Sequence, residues 1–351
     1  MSSNISIGGK NIGEKSPCFI IAEVGSNHDR SFEKAIRLID EVSEAKVDAI
    51  KFQLFKAEKI ASSYVSDETR ITDQFAKYGS SVIDLYRKFE LPAEWIPDLI
   101  QYCKEKKITF LATPFDLDSI DILESHGVVA YKIASFELTY LSLIKHAAST
   151  GKPILLSTGM ANLGEIEEAI SAVENTGNTK IALFHCNIGY PALPKDVHLR
   201  NIETMKVAFG YPVGYSDHTE GFAVPIAAVA LGSNLLEKHI TFEDSKSPDH
   251  DFALRVEQLK SMVENIRIVE SSLGEFTKKP RPVELKYLRR GRRSIFAMVD
   301  ISPGDMLSPE KVNVLRPGTG INPKYYDIII GKRVTRAVKA NTPLQWEDLL
   351  S

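Results

Sequence analysis

The chain has little cysteine, almost no net charge and no long apolar run, and each shortage closes off a class of protein. Its three cysteines, Cys18, Cys103 and Cys186, stand far apart without C-x-x-C spacing. Neither a disulfide framework nor a thiolate zinc site is in prospect, and a reducing compartment suits. Lys+Arg 43 against Asp+Glu 46 gives a formal net charge of -3, which offers no general attraction to nucleic acid or to an anionic membrane, so any anion must be held locally. No apolar run approaches the roughly 18 residues of a bilayer span, and residues 1–16 are polar and lack the apolar core of a secretory signal. A cytoplasmic protein with no membrane and no nucleic-acid partner is expected.

What is present is a regular alternation. Short apolar or β-branched runs at residues 18–25, 48–55, 109–115, 130–135, 153–159, 180–186, 212–218 and 235–241 are separated by helix-like stretches such as 31–45, 93–107, 163–174 and 256–271. Strands alternating with helices favour parallel pairing, and eight of them favour closure into a (β/α)8 barrel over an open doubly wound sheet. The polar residues discriminate between the two. Barrel sites draw on the C-terminal ends of many strands, whereas a doubly wound sheet concentrates its site at one switch point. Here the strand ends carry Glu23, Lys51 with Gln53, Thr113, Lys132 with Ser135, Ser157, Asn187, Ser216 with His218, and Glu237 with His239. Strand alternation puts Lys51 and Gln53 on one face, and Glu237 and His239 on one face with Lys238 opposite. The long segment 56–90 after the second strand exceeds an ordinary βα loop and reads as a lid, with a plain surface insertion as the alternative.

Beyond residue 274 the composition shifts. Lys278-Lys-Pro-Arg-Pro282 and Arg289-Arg-Gly-Arg-Arg293 read as a linker over 275–293; in a net acidic chain and with no interleaved aromatic platform, a nucleic-acid patch is the less favoured reading. Residues 294–351 read as short strands and turns. Residues 296–310 and 335–348 resemble each other, which suggests a compact pseudo-symmetric β-rich module, too small to stand firmly alone.

Adjacent strands lie about 4.8 Å apart, so His218 and His239, on the seventh and eighth strands, can reach one cation. Imidazole ligands admit Mn, Zn, Co or Mg. In a closed barrel the first strand adjoins the eighth, which sets Glu23 beside Glu237 and His239 as candidate catalytic carboxylates. Lys51 and Lys132 enter the same mouth among the hydroxyls of Thr113, Ser135, Ser157 and Ser216, a setting for a small dianion. A lysine inside a barrel also serves Schiff-base aldolases, so these residues leave both chemistries open.

Ile20-Ile-Ala-Glu-Val-Gly-Ser-Asn-His28, Lys51-Phe-Gln53, Ala112-Thr-Pro-Phe115, Tyr131-Lys-Ile-Ala-Ser-Phe-Glu137, Leu156-Ser-Thr-Gly-Met160, Gly214-Tyr-Ser-Asp-His218, Glu237-Lys-His239 and Leu315-Arg-Pro-Gly318 together resemble the sialic acid synthase (NeuB) family over nearly the whole chain. The resemblance implies a (β/α)8 TIM barrel followed by a small β-rich SAF, or antifreeze-like, domain, in a domain-swapped homodimer. It implies that Lys51, Thr113, Lys132, Ser135, Ser157 and Ser216 hold phosphoenolpyruvate, and that His218 and His239 bind a divalent metal, Mn2+ or Mg2+. Glu23, Gln53, Glu137, Tyr190 and Asp249 would contact the sugar, with Arg316 arriving from a partner subunit. At Ile188 the family carries a polar residue, and Asn187 is taken to substitute for it among the phosphoenolpyruvate contacts. The implied reaction is condensation of phosphoenolpyruvate with an N-acylated amino sugar, N-acetylmannosamine first. Pro248-Asp-His-Asp-Phe-Ala253 also suits the legionaminate and spore coat polysaccharide branches. A Schiff-base aldolase and a sugar-binding protein without turnover are the rivals from other classes.

Overall fold

The computed structural model describes residues 4–64, 66–71 and 73–349, with the backbone alone for 73–75. The chain divides into two compact units, Met1–Gly274 and Glu275–Ser351.

The first unit begins with an antiparallel hairpin, β1 (Ile5–Ile7) and β2 (Lys10–Ile12). Gly8 and Gly9 turn it with φ of 56° and 82°, left-handed values that favour glycine. Eight parallel strands follow: β3 (Phe19–Glu23), β4 (Ala49–Leu54), β5 (Thr109–Pro114), β6 (Tyr131–Ile133), β7 (Ile154–Ser157), β8 (Ile181–Cys186), β9 (Val213–Asp217) and β10 (Leu235–Thr241). Each pairs with its successor, and β10 pairs with both β9 and β3, so the sheet closes on itself as a TIM barrel. A two-residue strand, β11 (Leu254–Arg255), lies beside the end of β10. The open sheet is thereby excluded.

Strand alternation explains the layering. Outward residues such as Ile20, Ala22, Ile50 and Phe52 share one large apolar cluster with the surrounding helices. The helix Phe32–Glu44 is typical: the Ser31 hydroxyl accepts a hydrogen bond from the backbone N–H of Lys34 at its start, and Ala35, Leu38, Ile39 and Val42 bury its inner face. Inward residues form a second cluster: Phe19, Ile21, Ala49, Leu111, Ala130, Leu155, Ala182, Phe184 and Leu235, joined by Ile5, Ile7 and Ile12 of the hairpin. The hairpin therefore plugs the N-terminal end of the barrel.

Two residues further along, the inward positions turn polar. Ile21 gives way to Glu23, Ala49 to Lys51, Leu111 to Thr113, Ala130 to Lys132, Leu155 to Ser157 and Leu235 to Glu237. The barrel interior is thus an apolar floor at one end and a layer of charged and hydroxyl groups at the C-terminal end, where barrel sites lie.

The second unit has a helix, Pro282–Gly291, inside the stretch whose composition reads as a linker. An antiparallel pair follows, β12 (Ser294–Ala297) with β13 (Val312–Leu315). Bridges Phe296↔Pro343 and Ile301↔Val338 run antiparallel between the two similar sequence segments. Ile295, Ile301, Leu307, Val312, Ile329, Val334 and Leu344 are among the residues of its own core. Among the described residues no helix is long and apolar enough to cross a membrane.

The plug yields a stability test. Ile7 is fully buried against the barrel floor, and Ile7→Ala should lower the unfolding free energy by about 2–4 kcal/mol in chemical denaturation. Unchanged stability would contradict the hairpin's place in the core.

Candidate active site

The polar layer opens into a cavity of about 360 Å³ at the C-terminal end of the barrel. Of the residues expected from sequence, Glu23, Lys51, Gln53, Thr113, Lys132, Ser135, Ser157, Tyr190, Ser216, His218, Glu237, His239 and Asp249 all line it.

Its floor is a buried arrangement of charges. Lys51 Nζ lies 2.8 Å from Glu23 Oε2 and 3.7 Å from Glu237 Oε2, and Lys132 Nζ lies 3.2 Å from Glu237 Oε1. Register makes this arrangement: Glu23 pairs with Lys51 across β3 and β4, and Glu237 with Ser216 across β10 and β9. Neutral groups add to the shell, while Glu23 Oε2 and Glu237 Oε2 have no hydrogen-bond partner among the described residues. Lys51 donates to Thr113 Oγ1 (2.8 Å), Gln53 Nε2 to Glu23 Oε1 (2.7 Å), and Ser216 Oγ to Glu237 Oε1 (2.9 Å). The Lys132 ammonium also sits 4.7 Å from the centre of the Phe184 ring.

Burial and charge pull the titrations apart. Burial raises the Glu237 carboxyl, but Lys132, Lys51 and His239 outweigh it and bring it down to about 2. Burial lowers the Lys51 ammonium, yet Glu23 and Glu237 hold it above its ordinary value. Lys132 ends below its ordinary value, through burial first and with the Lys51 charge acting in the same direction against Glu237. A cavity floor with two ammonium groups and a permanently ionised carboxylate is suited to hold a small anion while stabilising positive charge that develops near it.

The two histidines stand beside this floor with ring centres 5.3 Å apart. His218 Nδ1 faces the backbone carbonyl of Asn187 at 2.9 Å, and His239 Nδ1 faces Asp249 Oδ2 at 3.4 Å. The Asn187 carbonyl favours the proton on His218 Nδ1 and leaves its Nε2 lone pair available, the arrangement by which metal-binding imidazoles are oriented, whereas His239 Nδ1 lies near the Asp249 carboxylate without a hydrogen-bond partner among the described residues. Neither Nε2 has a hydrogen-bond partner among the described residues. Gly25 makes room for the second pair: its φ is 54°, and a Cβ there would collide with the Asp249 carboxylate and crowd the His239 ring. The donor set fits a divalent cation. Among the described residues no group of three or more His, Cys, Asp or Glu is gathered as a metal site; the two imidazoles are the candidate ligands.

Three expected residues fall elsewhere. Asn187 turns its side chain away, donating from Nδ2 to the Asp196 carbonyl (2.8 Å), while Ile188 lines the cavity. The expected substitution of Asn187 for the polar residue is corrected accordingly, because the chain leaving β8 presents Ile188 there. Glu137 is half-buried and does not line the cavity, with Oε2 lacking a hydrogen-bond partner among the described residues. Arg316 belongs to the second unit, where its Nε donates to the Gly291 carbonyl (2.7 Å).

Sequence reading missed the apolar upper wall. The segment read as a lid forms the helices Ala57–Ile60 and Val82–Phe89, and it contributes Ile60, Ile71, Val82, Leu85, Tyr86 and Phe89 to the cavity; residues 65 and 72 within it lie outside the described residues. The signal was the apolar face of 82–89. Cys186 also lines the cavity, with Sγ 3.9 Å from His218 Nδ1.

Comparison with known proteins places this geometry. The profile of the NeuB family matches residues 38–278. The chain belongs to the NeuB family. The profile of the SAF domain matches residues 292–350. An uncharacterized protein of Methanocaldococcus jannaschii is 40% identical over 99% of this chain and 98% of its own length. The N,N'-diacetyllegionaminic acid synthase of Legionella pneumophila is 38% identical over 99% of both chains. The crystal structure of N-acetylneuraminic acid synthetase from Leptospira borgpetersenii superposes with a TM-score of 0.73 at 32% identity, covering 82% of this chain and 95% of that one.

In this NeuB-family chain Glu137 supplies a pH test. Burial raises its carboxyl from 4.5 to about 7, so ionising it costs stability: the penalty is absent below about pH 4.5, grows as pH rises to about 7 and is constant above. Glu137→Gln removes the penalty. The variant should gain roughly 1–3 kcal/mol of unfolding free energy over the parent protein between pH 4.5 and 7.5, and a difference that stays flat with pH would contradict the assignment.

Proposed function

We propose that the protein condenses phosphoenolpyruvate with the open-chain aldehyde of an N-acylated amino sugar and water, giving a nonulosonic acid and phosphate. The observation that carries this reading is the placement of two imidazoles beside two buried ammonium groups in one cavity. That combination answers both substrates: an anion to be seated and an aldehyde to be activated.

In this reading Lys51 and Lys132, with the hydroxyls of Thr113, Ser135, Ser157 and Ser216, hold phosphoenolpyruvate. Ser135 Oγ already accepts from the Gly159 backbone N–H (2.9 Å), which leaves its own proton for a phosphate oxygen. His218 and His239 would hold a divalent cation, Mn2+ or Mg2+, which supplies Lewis-acid polarisation of the sugar aldehyde. C3 of phosphoenolpyruvate then forms a bond to the aldehyde carbon, and positive charge develops at C2. Glu237, held ionised by its lysines, stabilises that charge. Glu23 and Glu237, both beside Lys51, are the carboxylates placed to take the proton from the water that adds at C2. Breakage of the bond between C2 and the phosphate oxygen, with the C2 hydroxyl's proton leaving on phosphate, gives the ketone, while the first water proton passes to the former aldehyde oxygen, which ends as a hydroxyl. Gln53, Tyr190 and Asp249 surround the sugar, and in a swapped homodimer Arg316 of the partner subunit would reach its N-acyl group.

A specific observation bears on the acceptor. Ile60, Ile71, Val82, Leu85 and Phe89 offer no polar atoms from their side chains. A buried sugar hydroxyl left without a partner costs about 1–3 kcal/mol, whereas an acyl methyl against such a wall gains about 0.8 kcal/mol or more. This, with relatives named N,N'-diacetyllegionaminic acid synthase, favours a 2,4-diacetamido sugar over N-acetylmannosamine.

Phosphate release should require both substrates, stop with EDTA and return with Mn2+. His218→Ala and His239→Ala should each lower kcat at least a thousandfold in a protein that still folds; ordinary turnover in either variant would reject the cation site. Borohydride trapping on Lys51 or Lys132, with EDTA without effect, would establish the aldolase instead. In a sugar panel the 2,4-diacetamido acceptor should exceed N-acetylmannosamine in kcat/KM by about tenfold, ~1.4 kcal/mol. The reverse order would overturn the acceptor assignment.

A further inference from the structure

The two strands that carry the histidines are joined on their other face by an ion pair to which nothing above gives a role. Asp217 lies between Ser216 and His218, and Lys238 between Glu237 and His239. Because strand residues alternate and their neighbours line the cavity, both point away from it. They are register partners across β9 and β10, both are 0% exposed, and Lys238 Nζ lies 2.6 Å from Asp217 Oδ2.

Both ions of the pair make further hydrogen bonds. Asp217 Oδ1 accepts from Tyr215 Oη (2.9 Å), from the Thr219 backbone N–H (3.0 Å) and from Thr219 Oγ1 (2.8 Å). Lys238 also donates to the Thr219 carbonyl. Thr219 directly follows His218, and on the other side the Ala192 N–H donates to the His218 carbonyl (2.9 Å). The backbone around His218 is thus pinned from both directions.

Stability alone is a poor reason for this pair. Desolvating both ions offsets much of their attraction, and apolar residues of similar volume hold strands together as well or better. What an ion pair adds is direction and register. A slip of one residue between β9 and β10 would exchange the two faces and turn the imidazoles out of the barrel.

We propose that Asp217 and Lys238 are a positioning pair that fixes the spacing and aim of His218 and His239 so that both rings meet one divalent cation. The proposal rests on the reading of those histidines as cation ligands. Its consequence is that removing the pair weakens cation binding in a protein that is still folded, by about the tenfold or more found when groups behind metal ligands are replaced.

The test uses the full chain and Mn2+ alone, with free Mn2+ measured by electron paramagnetic resonance and folding by circular dichroism and thermal unfolding. Two variants are compared with the parent protein: Asp217→Asn, and the double variant Asp217→Leu with Lys238→Met, which removes both charges and roughly keeps their volume. The expected result is a folded double variant with Mn2+ affinity at least tenfold lower, and a smaller loss for Asp217→Asn. Folded variants that bind Mn2+ within twofold of the parent, whatever their melting temperature, overturn the proposal, as does failure of both to fold, which would make the pair structural. If the parent binds Mn2+ no better than His218→Ala and His239→Ala do, the cation reading itself falls, and the proposal with it.

Discussion

Everything at the mouth of the barrel depends on charges of opposite sign being held out of water together. Lys51, Lys132, Glu23 and Glu237 are all nearly fully buried, and none could remain ionised there alone without a large desolvation cost. Together they balance, with Thr113, Ser216 and Gln53 supplying hydrogen bonds. Because the two ammonium groups are already desolvated and fixed, an incoming anion meets donors that need no reorganisation, and their field is stronger than it would be in water. The same field keeps Glu237 ionised and so fixes what that carboxylate can do.

The barrel supplies these positions by a simple spatial rule. Each strand adds one inward residue every two positions, so a layer of apolar side chains resting on the N-terminal hairpin is followed by a layer of charged and polar ones. The outward residues of the same strands anchor to the helices. At β9 and β10 the outward position is used differently, by Asp217 and Lys238, and these strands carry the two imidazoles. Above the polar layer the segment between β4 and β5 adds an apolar wall, so the cavity presents a charged floor and an apolar upper part.

Much of this was legible in the residues. The eight strands and most of the inward polar positions follow from alternation, because Lys51 and Gln53, or Glu237 and His239, stand two apart in otherwise apolar runs. What escaped lacks that periodicity. The N-terminal hairpin reads as a polar tail because its strands are three residues each, although Gly8-Gly9 between Ile7 and Lys10 is a hairpin signal. Asn187 and Ile188 lie just past the end of β8, where alternation ceases to say which side chain enters the cavity. The helix Pro282–Gly291 hides in a basic stretch, although Pro282 at its first turn and Glu284 near its start are helix-start signals. The apolar wall required tertiary structure, since nothing in residues 56–90 tells which element its apolar face will cover.

The central claim is that one cavity holds a cation on His218 and His239 and a phosphorylated acid on Lys51 and Lys132. Crystals grown with Mn2+ and phosphoenolpyruvate test it most directly through the manganese anomalous signal. The account predicts a single strong peak between the two imidazoles with the phosphorylated acid against the two lysines; a peak elsewhere, or the acid bound away from those lysines, would contradict it.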